Sequence, residues 1–564
     1  MLTQKLKNYM LLVNKYGLHD VLQNRNLKKK RSTLPEIAKK EIDNIHKVDT
    51  KILSSQKKIQ FKNVPRISVL TPLYNTSPKH LAEMINSVIE QTYSNWELCL
   101  VDGSDSNHDY VHQICKEYCL KESRIIYKKI ENKGIAENTN EAVRLASGDY
   151  YALLDHDDLL HPSALYEVVK IINNFKADFI YTDEVKFRDN PTNIDRLNLF
   201  NFKLGYGLDE LRSHNYICHL AVFNSKLINC TSIFQNDYEG SQDHDLFLRL
   251  TKKAKVVKHI DKVLYYWRMH EDSVSMNLNS KEYCIDSSIK AIQDDLERSL
   301  EKGIVKTNDP FKTIYRIDYS VNLKVNITII IYGHASKAIR KKMEKNIKNN
   351  MHGYNYEIFF LDTGNQKTIE KGNSGINLSS QINTIISSCS NEYIFIMHSG
   401  CLLNSNNTVR ELLMHAQRKG VFSVSGKILK SDTSIYYAGV ALDKTEPNLL
   451  YFWGKDYTMM DDGYEAMLRY LRNVSVNSMY CTMFTKSNWM RVNGFENIKG
   501  YEDIFFTFKG NELGMRNVWT PYAEFKLIKG IDVSPRYYDT SSFLKRASID
   551  DPYFNFKLKK YKLL

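Results

Sequence analysis

Short runs of apolar residues alternate with segments of helical periodicity through residues 65 to 154 of the chain. The apolar runs are bounded by polar or turn-forming residues, which is typical of strands buried in a parallel sheet. Between them, apolar positions recur at the spacing of an amphipathic helix. The pattern predicts strands at 67–70, 97–101, 125–128 and 150–154, and helices at 79–91, 110–120 and 136–146. This alternation predicts right-handed βαβ units and a doubly wound α/β sheet.

The same pattern repeats in the second half of the chain. The sequence EIFFLD matches the earlier ELCLVD, and YIFIMHSGC aligns with YYALLDHDD. The spacing that leads into the aligned strands is also the same, because Asn383 precedes Tyr393 by ten residues and Asn140 precedes Tyr150 by ten. Val325–Ile330 resembles the first predicted strand. This self-similarity predicts a tandem duplication.

A chain of 564 residues is too long for one hydrophobic core, which also favours two domains. We predict four segments. They are a basic helical leader over 1–63, a first α/β domain over 64–284, a helical and polar connector over 285–324, and a second α/β domain over 325–564.

Composition and cysteine usage indicate a folded protein of a reducing compartment. Apolar residues make up 43% of the chain, which is enough to build real cores. No apolar run approaches the roughly 18 residues of a membrane span, and the start, MLTQKLKNYM, lacks the apolar core of a secretory signal. Nine cysteines lie scattered without zinc-type spacing. We therefore expect a cytoplasmic protein with reduced thiols.

The net charge of +13 is concentrated in the leader, where residues 1 to 60 hold 14 Lys or Arg and 5 Asp or Glu. Leu2, Leu6, Tyr9, Val13 and Tyr16 recur at helical spacing with lysines between them. Such a basic amphipathic helix could lie on an anionic membrane surface. Equally, its apolar stripe could pack on the domain behind it. Nucleic-acid binding is disfavoured, since the short basic run lacks interleaved aromatic residues.

Polar residues follow the predicted strands, where doubly wound sheets bind their ligands. The first strand leads into Thr71-Pro72-Leu73-Tyr74-Asn75, the second into Asp102, and the last into Asp155-His156-Asp157-Asp158. Three carboxylates in four residues would repel one another unless a cation lay among them, and oxygen ligands suit Mg²⁺ or Mn²⁺. The alternative is a helix N-cap before Ser163, which would use one carboxylate rather than three.

An ordered set of motifs makes the resemblance to a known family specific. TPLYN, ELCLVDGSDS, NKGIAENTNEAVRLASGDYYALLDHDDLLHP, GSQDHDLFLRL and YYWRMHEDSVS occur in the order and approximate spacing of the family 2 glycosyltransferases. The similarity covers about residues 65 to 275 and implies a GT-A fold that binds a nucleotide-sugar. The second domain then resembles a degenerate copy of the same fold.

The resemblance implies roles for the strand-end residues. The nucleotide side of the site maps to Thr71, Tyr74, Asn75, Asp102 and Asn140, with Asp155 on the ribose side and Arg268 near phosphate. The family often has two adjacent acids where this chain has Asp102-Gly103. The DxD motif maps to Asp155 and Asp157, and the implied metal ligands are Asp157, Asp158 and His270. A structural role for His270 is the alternative.

Asp243, in the sequence Gln242-Asp243-His244-Asp245, resembles the family's catalytic base. A direct displacement at an anomeric carbon requires a group that takes the proton of the acceptor hydroxyl, and a carboxylate can do so. A single displacement inverts the anomeric configuration. The alternative for Asp243 is an acidic residue that stabilises the first turn of the following helix.

The second domain lacks the acidic cluster. His398, Ser399, Gly400 and Cys401 stand at the positions of residues 155 to 158, although Glu502-Asp503 resembles the motif of Asp243. No counterpart of His270 follows Lys526. A metal-free binding or scaffolding domain is therefore favoured over a second active site.

The resemblance implies an inverting, metal-dependent glycosyltransferase of the bacterial cell-surface polysaccharide type, such as rhamnan, O-antigen or capsule synthesis. We expect Mn²⁺ or Mg²⁺ as the cofactor, a UDP- or dTDP-sugar as the donor, and a hydroxyl of a growing glycan or glycolipid as the acceptor. A peripheral position on the inner face of the plasma membrane would bring the enzyme to such an acceptor. The alternatives are a polymerase with both domains active and a non-catalytic glycan-binding or assembly protein.

Overall fold

A computed structural model describes residues 9–10, 13–14, 17–18, 21–22, 39–47, 49–228, 233–269, 282–363, 377–446, 449–455, 457–498, 500–530, 543–545 and 551–563. The chain divides into two compact units. The first unit comprises Pro35–Leu300 and Val305–Thr307. The second comprises Glu301–Ile304 and Asn308–Leu564, together with the few described residues before Leu34. No helix among the described residues is long and apolar enough to cross a membrane.

The first unit is an α/β domain built on one large sheet. Its helices are α1 Lys39–His46, α2 Thr50–Gln56, α3 Pro78–Ile89, α4 Tyr110–Lys121, α5 Ile135–Leu145, α6 Ala164–Phe175, α7 Leu208–Ser213, α8 Gln242–Lys253 and α9 Glu282–Arg298. Its strands are β1 Ile67–Leu73, β2 Trp96–Asp102, β3 Ile125–Lys129, β4 Tyr150–Leu153, β5 Leu159–Leu160, β6 Phe179–Phe187, β7 Phe200–Asn201, β8 Ala221–Asn224 and β9 Val257–Arg268.

The strands of this sheet lie in the order β3-β2-β1-β4-β8-β6-β9-β5, with β7 beside β6. Strands β3, β2, β1 and β4 are parallel to one another, so their carboxyl ends meet at one edge. Strand β8 lies antiparallel between β4 and β6. The predicted strands and helices of residues 65 to 154 are confirmed to within three residues at their ends. Their local apolar periodicity was sufficient to predict them.

The second unit is another α/β domain. Its helices are α10 Lys337–Asn350, α11 Leu378–Ser388, α12 Asn407–Ala416, α13 Lys486–Arg491, α14 Glu502–Glu512 and α15 Phe556–Lys560. Its strands are β12 Asn326–Tyr332, β13 Asn355–Leu361, β14 Tyr393–His398, β15 Cys401–Leu403, β16 Val421–Leu429, β17 Ile435–Tyr437, β18 Val440–Leu442, β19 Leu450–Phe452, β20 Arg472–Val474, β21 Cys481–Thr485 and β22 Arg516–Leu527. The segment predicted as a helical connector contains α9 and two strands, β10 Gly303–Asn308 and β11 Phe311–Tyr319.

The two sheets have the same topology, which confirms the tandem fold. The order β13-β12-β14-β21-β16-β22-β15 repeats β2-β1-β4-β8-β6-β9-β5 strand for strand. The registers also agree. Tyr150 pairs with Asn224 in the first sheet, and Tyr393 pairs with Thr485 in the second. The equivalence of Tyr150 and Tyr393 is the one predicted from the sequence.

One pair of side chains repeats in atomic detail. The Asn140 amide donates to the carbonyl of Phe234 at 2.9 Å, and its oxygen accepts from the Phe234 amide at 2.9 Å. Asn383 clamps the backbone of Phe495 in the same way, at 2.8 and 2.9 Å. Each clamp satisfies both backbone groups of a buried phenylalanine, which would be costly to leave unpaired. The two helices that carry these asparagines, α5 and α11, are therefore equivalent residue by residue.

Part of the predicted leader belongs to the first unit. The imidazole of His46, at the end of α1, packs edge-on against Tyr266, and the Tyr266 hydroxyl donates to the His46 carbonyl at 3.0 Å. Gln56, at the end of α2, accepts from the Thr92 hydroxyl at 2.9 Å. Leu2, Leu6 and Tyr16 of the predicted amphipathic stripe lie outside the described residues.

Candidate active site

A cavity of about 400 Å³ lies at the carboxyl edge of the parallel strands in the first unit. Strands β1 and β4, the segment before β8, the start of α8 and the end of β9 all contribute to its wall. The cavity brings Asp155 and Asp157 together with Asp243, His219 and Trp267. Carboxylates from two distant parts of the sequence therefore face one space. Ligand sites of this size, with a few convergent polar groups, are typical of enzymes.

The residues after β1 form the edge of this region. Thr71 is fully buried within β1, and its hydroxyl has no hydrogen-bond partner among the described residues. Tyr74 is 47% exposed. Asn75 lies in the left-handed region, with φ of 52°, and exchanges side-chain and backbone hydrogen bonds with Asp105. Thr71, Tyr74 and Asn75 do not line the cavity itself. The residues of β1 that line it are Leu70 and Pro72.

Asp102 ends β2 as a buried carboxylate that accepts hydrogen bonds from three residues. Its oxygens accept from the Ser104 amide at 2.8 Å, the Tyr127 hydroxyl at 2.8 Å and Lys129 Nζ at 2.9 Å. Burial by itself would raise the pKa of Asp102, but these hydrogen bonds outweigh it and lower the pKa. Asp102 is therefore a fixed, ionised acceptor beside the loop that carries Asn75.

The acidic cluster after β4 separates into exposed and buried carboxylates. Asp155 and Asp157 are partly exposed and line the cavity. Asp158 is 1% exposed and accepts from the Tyr265 hydroxyl and the Arg268 amide, both at 2.6 Å. Burial, followed by the charges of Asp157 and Asp155, raises the pKa of Asp158 well above its usual range. Three like charges this close favour a bound cation.

His219 is the residue of this site that the sequence analysis missed. Its Nε2 lies 3.4 Å from Asp155 Oδ2, and its Nδ1 lies 3.4 Å from Glu184 Oε2. The ring stacks on Tyr265 with a centroid separation of 4.7 Å. It sits just before β8, so its place beside Asp155 depends on the antiparallel pairing of β8 with β4. No local motif marks that pairing.

The donor atoms present fit a divalent transition metal. One ligand atom each from Asp155, Asp158 and His219 lie within 4.8 Å of one another. Two carboxylates and an imidazole suit Mn²⁺ better than Mg²⁺, which prefers oxygen ligands alone. Asp157 lines the same cavity but is not part of this group of three. His270 lies outside the described residues.

Arg268, at the end of β9, braces the acidic loop. Its Nε donates to the carbonyl of Asp157 at 2.7 Å, and one terminal nitrogen donates to Glu83 at 2.7 Å. The guanidinium also lies over the ring of Phe187 at 4.5 Å. The side chain is 2% exposed, so in this conformation it fixes the Asp157 backbone rather than facing the cavity. Asn140 is likewise occupied in its clamp on Phe234, which does line the cavity.

Asp243 lies in the first turn of α8 and lines the cavity. Its Oδ2 accepts from the side-chain amide of Asn215 at 2.9 Å, and its Oδ1 accepts from the His244 amide at 2.8 Å. Asp245 is fully buried and pairs with Arg249 at 2.7 Å. The two carboxylates of this motif therefore differ, because only Asp243 lines the cavity.

The equivalent region of the second unit has different chemistry. Counting back from the matched strand pairs places Tyr480 at the position of His219, and His398 stands at the position of Asp155. The rings of His398 and Tyr480 lie 6.3 Å apart, and Tyr332 packs edge-on against His398 at 5.1 Å. The described residues of the second unit contain no group of three potential metal ligands.

Asp503 of α14 has one hydrogen bond in common with Asp243 but is more buried. One oxygen accepts from the Ile504 amide at 2.8 Å, as Asp243 accepts from His244. The other accepts from the Ser478 hydroxyl and the Met479 amide, both at 2.8 Å. Burial raises the pKa of Asp503, although these hydrogen bonds act in the opposite direction. The carboxylate is a structural brace in this unit.

Comparison with known proteins agrees with this arrangement. Residues 68–231 match the model of glycosyl transferase family 2. The uncharacterized glycosyltransferase MJ1057 of Methanocaldococcus jannaschii is 30% identical over 211 residues, which cover 36% of this chain and 71% of that protein. The chain belongs to glycosyltransferase family 2.

Two longer relatives of this family 2 chain align with both of its units. The uncharacterized protein y4gI of Sinorhizobium fredii is 30% identical over 495 residues, covering 82% of this chain and 53% of that protein. The O-antigen biosynthesis protein RfbC of Myxococcus xanthus is 23% identical over 479 residues, covering 80% of this chain and 36% of that protein. The chain thus spans about half or less of the length of these two relatives.

Proposed function

We propose that the first unit transfers a sugar from a nucleotide-sugar to a hydroxyl acceptor with inversion at the anomeric carbon. The observation that carries this proposal is that Asp243 faces the same cavity as Asp155 and Asp157. A direct displacement needs a base on one side of the anomeric carbon and charge compensation on the other. One cavity that holds both kinds of group can accommodate that reaction.

In this mechanism Asp243 accepts the proton of the acceptor hydroxyl. The hydrogen bond from Asn215 fixes one carboxylate oxygen and restricts rotation of the side chain. Asn215 donates to a carboxylate without neutralising it, so Asp243 remains able to take a proton. Asp245 cannot take this role because it is buried in an ion pair with Arg249.

Asp155, Asp157, Asp158 and His219 are the described residues that would hold Mn²⁺ or Mg²⁺, and the resemblance adds His270. The ion, when bound, supplies Lewis-acid stabilisation of the charge that develops on the departing nucleoside diphosphate. Arg268 holds the backbone of Asp157 in place, so the acidic loop is ordered before the donor binds. The Asp102 carboxylate and the Asn75 loop would hold the nucleoside at the edge of the cavity.

The proposed donor is a UDP- or dTDP-sugar, and the proposed acceptor is a growing cell-surface glycan or glycolipid. The family supports the class of donor, and a relative named as an O-antigen biosynthesis protein supports the class of acceptor. The second unit, with His398 and Tyr480 at the positions of Asp155 and His219, is proposed to bind or scaffold rather than to catalyse.

The experiment is to incubate the purified full chain with Mn²⁺ and a panel of UDP-, dTDP- and GDP-sugars, and to measure release of the nucleoside diphosphate. One donor should be turned over, and the anomeric configuration of the product should be the opposite of the donor's. Retention of configuration would contradict the assignment of Asp243 as a base. Absence of turnover with every donor, in the presence of neutral and lipid-linked acceptors, would contradict the proposed activity.

A further inference from the structure

A second polar groove lies on the second unit. It has a volume of about 430 Å³ and is open to solvent. One wall is the exposed face of α11, and the other is α13 with the turn that follows it, residues 492–498. The lining consists of asparagine, serine and threonine side chains with the aromatic rings of Trp489 and Phe495. We infer that this groove binds a neutral glycan.

The absence of charge from the lining is the first observation. None of the ten described residues that line the groove is charged, in a chain in which 25% of residues are. A nucleotide, a phosphate or an anionic polymer would need lysine or arginine at the site. A hydrocarbon ligand would need a mainly apolar wall. Amide and hydroxyl groups, which both donate and accept hydrogen bonds, match the hydroxyls of an uncharged sugar.

The duplication supplies an internal comparison for this face. Helix α5 of the first unit has the sequence IAENTNEAVRL, and the equivalent helix α11 has LSSQINTIISS. The matched asparagine clamps place Ser380 at the position of Glu137, Thr384 at that of Glu141 and Ser387 at that of Arg144. In α5 these three residues form partly exposed ion pairs. An exposed helical face is ordinarily charged, so the uncharged face of α11 is a difference between two copies of one fold.

The aromatic residue of the groove is held in a fixed orientation. The indole Nε1 of Trp489 donates to Asn383 Oδ1 at 2.9 Å, and Asn383 is anchored by its clamp on Phe495. Gly494 has φ of +75°, and a Cβ there would lie 2.7 Å from Asn383 Oδ1 and 2.8 Å from Trp489 Nε1. Only glycine leaves room for this contact. The half-buried indole therefore lines the groove in a fixed orientation and adds little ordering cost on binding.

The turn opposite α11 is also braced from behind. Lys509 donates to the carbonyl of Val492 at 2.7 Å and to Glu496 at 2.8 Å. The Ser379 hydroxyl donates to the carbonyl of Glu496 at 3.0 Å. These bonds fix the turn that carries the exposed amides of Asn493 and Asn497. A preformed arrangement of amides beside the Trp489 ring is suited to a weak ligand, whose binding cannot offset large reorganisation.

The test uses affinity electrophoresis of the full chain in gels that contain mannan, galactan or dextran, with anionic hyaluronan as the comparison and 0.3 M salt to screen non-specific charge. At least one neutral polysaccharide should retard the chain. The double variant Ser380→Glu and Thr384→Glu restores the residues of the equivalent first-unit helix, so it should fold. It should weaken the retardation constant at least tenfold. Gln381→Glu adds a charge to the same helix outside the groove and should have no effect.

Trp489→Ala should also weaken binding at least tenfold, with melting curves recorded because the indole contacts Asn383. The measurement needs neither donor nor metal, so failure of the proposed transfer reaction would not affect it. Two outcomes would overturn the inference. They are the absence of binding to every neutral polysaccharide and unchanged binding by the double variant.

Discussion

The side-chain amide of Asn215 donates a hydrogen bond of 2.9 Å to the carboxylate of Asp243 at the wall of the candidate active site. Replacement of Asp243 by Asn preserves the shape of the side chain and removes its ability to take a proton. Turnover should fall by about 10²-fold or more, the scale of losing a positioned base. Donor affinity, measured by calorimetry, should stay within about twofold, since a proton acceptor contributes little to holding the donor.

Asp245→Asn is the matched control in the same helical turn. Asp245 is buried and pairs with Arg249, so the variant should lose about 1–3 kcal/mol of unfolding free energy. Its turnover, corrected for the folded fraction, should change much less than that of Asp243→Asn. Near-normal turnover in Asp243→Asn would leave that residue only a role in stabilising α8, because Asn and Asp serve equally well at helix starts.

Asp157→Ala should abolish metal-dependent transfer. The acidic loop after β4 would then lack a carboxylate that faces the cavity, and charge on the departing diphosphate would be less well compensated. Transfer rates are measured across a Mn²⁺ titration, with and without a chelator. Gly400→Ala, at the aligned position in the second unit, is the control and should leave the metal dependence unchanged. Transfer by the unaltered chain in excess chelator would contradict the metal assignment.

His219→Gln should weaken Mn²⁺ binding by roughly 10- to 100-fold, the usual effect of losing a metal ligand or a residue that orients one. The reason is the position of Nε2 at 3.4 Å from Asp155 and within the group of possible ligand atoms. Binding is followed by the electron paramagnetic resonance signal of free Mn²⁺, independently of activity. Tyr480→Phe in the second unit is the matched control. Equal Mn²⁺ affinity in His219→Gln and the unaltered chain would exclude His219 from the site.

Asn140→Ala should lower the free energy of unfolding of the first unit by about 1–3 kcal/mol. The variant lacks the side chain that pairs with both the buried backbone amide and the buried carbonyl of Phe234. Asn383→Ala should act similarly on the second unit through Phe495. Denaturant unfolding measures both. If Asn140 instead holds the nucleotide, its variant would lose donor affinity with little change in stability, and the two variants would not resemble each other.

Removal of residues 1–38 should reduce binding to anionic vesicles. That segment contains eight Lys or Arg and two Asp or Glu, and each basic residue near an anionic surface contributes about 1 kcal/mol. A chain that begins at Lys39 keeps α1 and α2, so the packing of His46 on Tyr266 is preserved. Co-sedimentation should be lost in the shortened chain and reversed by salt in the full chain. Equal sedimentation of both chains would assign the leader a packing role.

The strands and helices of residues 65 to 154 could be predicted from the sequence because each depends on local periodicity. Strand β1 and helix α5, for example, begin and end within three residues of their predicted bounds. The difference in burial between Asp157 and Asp158 could not be predicted, because the two residues are adjacent in sequence. Only the fold buries Asp158 against Tyr265. His219 was missed for a related reason. Its approach to Asp155 needs β8 to pair with β4 across 70 residues of chain, a non-local event without a short motif.

The changed chemistry at the second copy of the site has a consequence for stability. Active sites hold like charges and partly buried polar groups in arrangements that oppose folding, and proteins retain them because function requires them. In the second unit, His398 and Cys401 occupy the places of Asp155 and Asp158, and aromatic rings surround His398. The second unit therefore lacks the repulsion between carboxylates that is present in the first unit. A duplicated domain without active-site residues to preserve can accept mutations that create a new surface. The first unit cannot change its acidic residues in the same way without losing their chemistry.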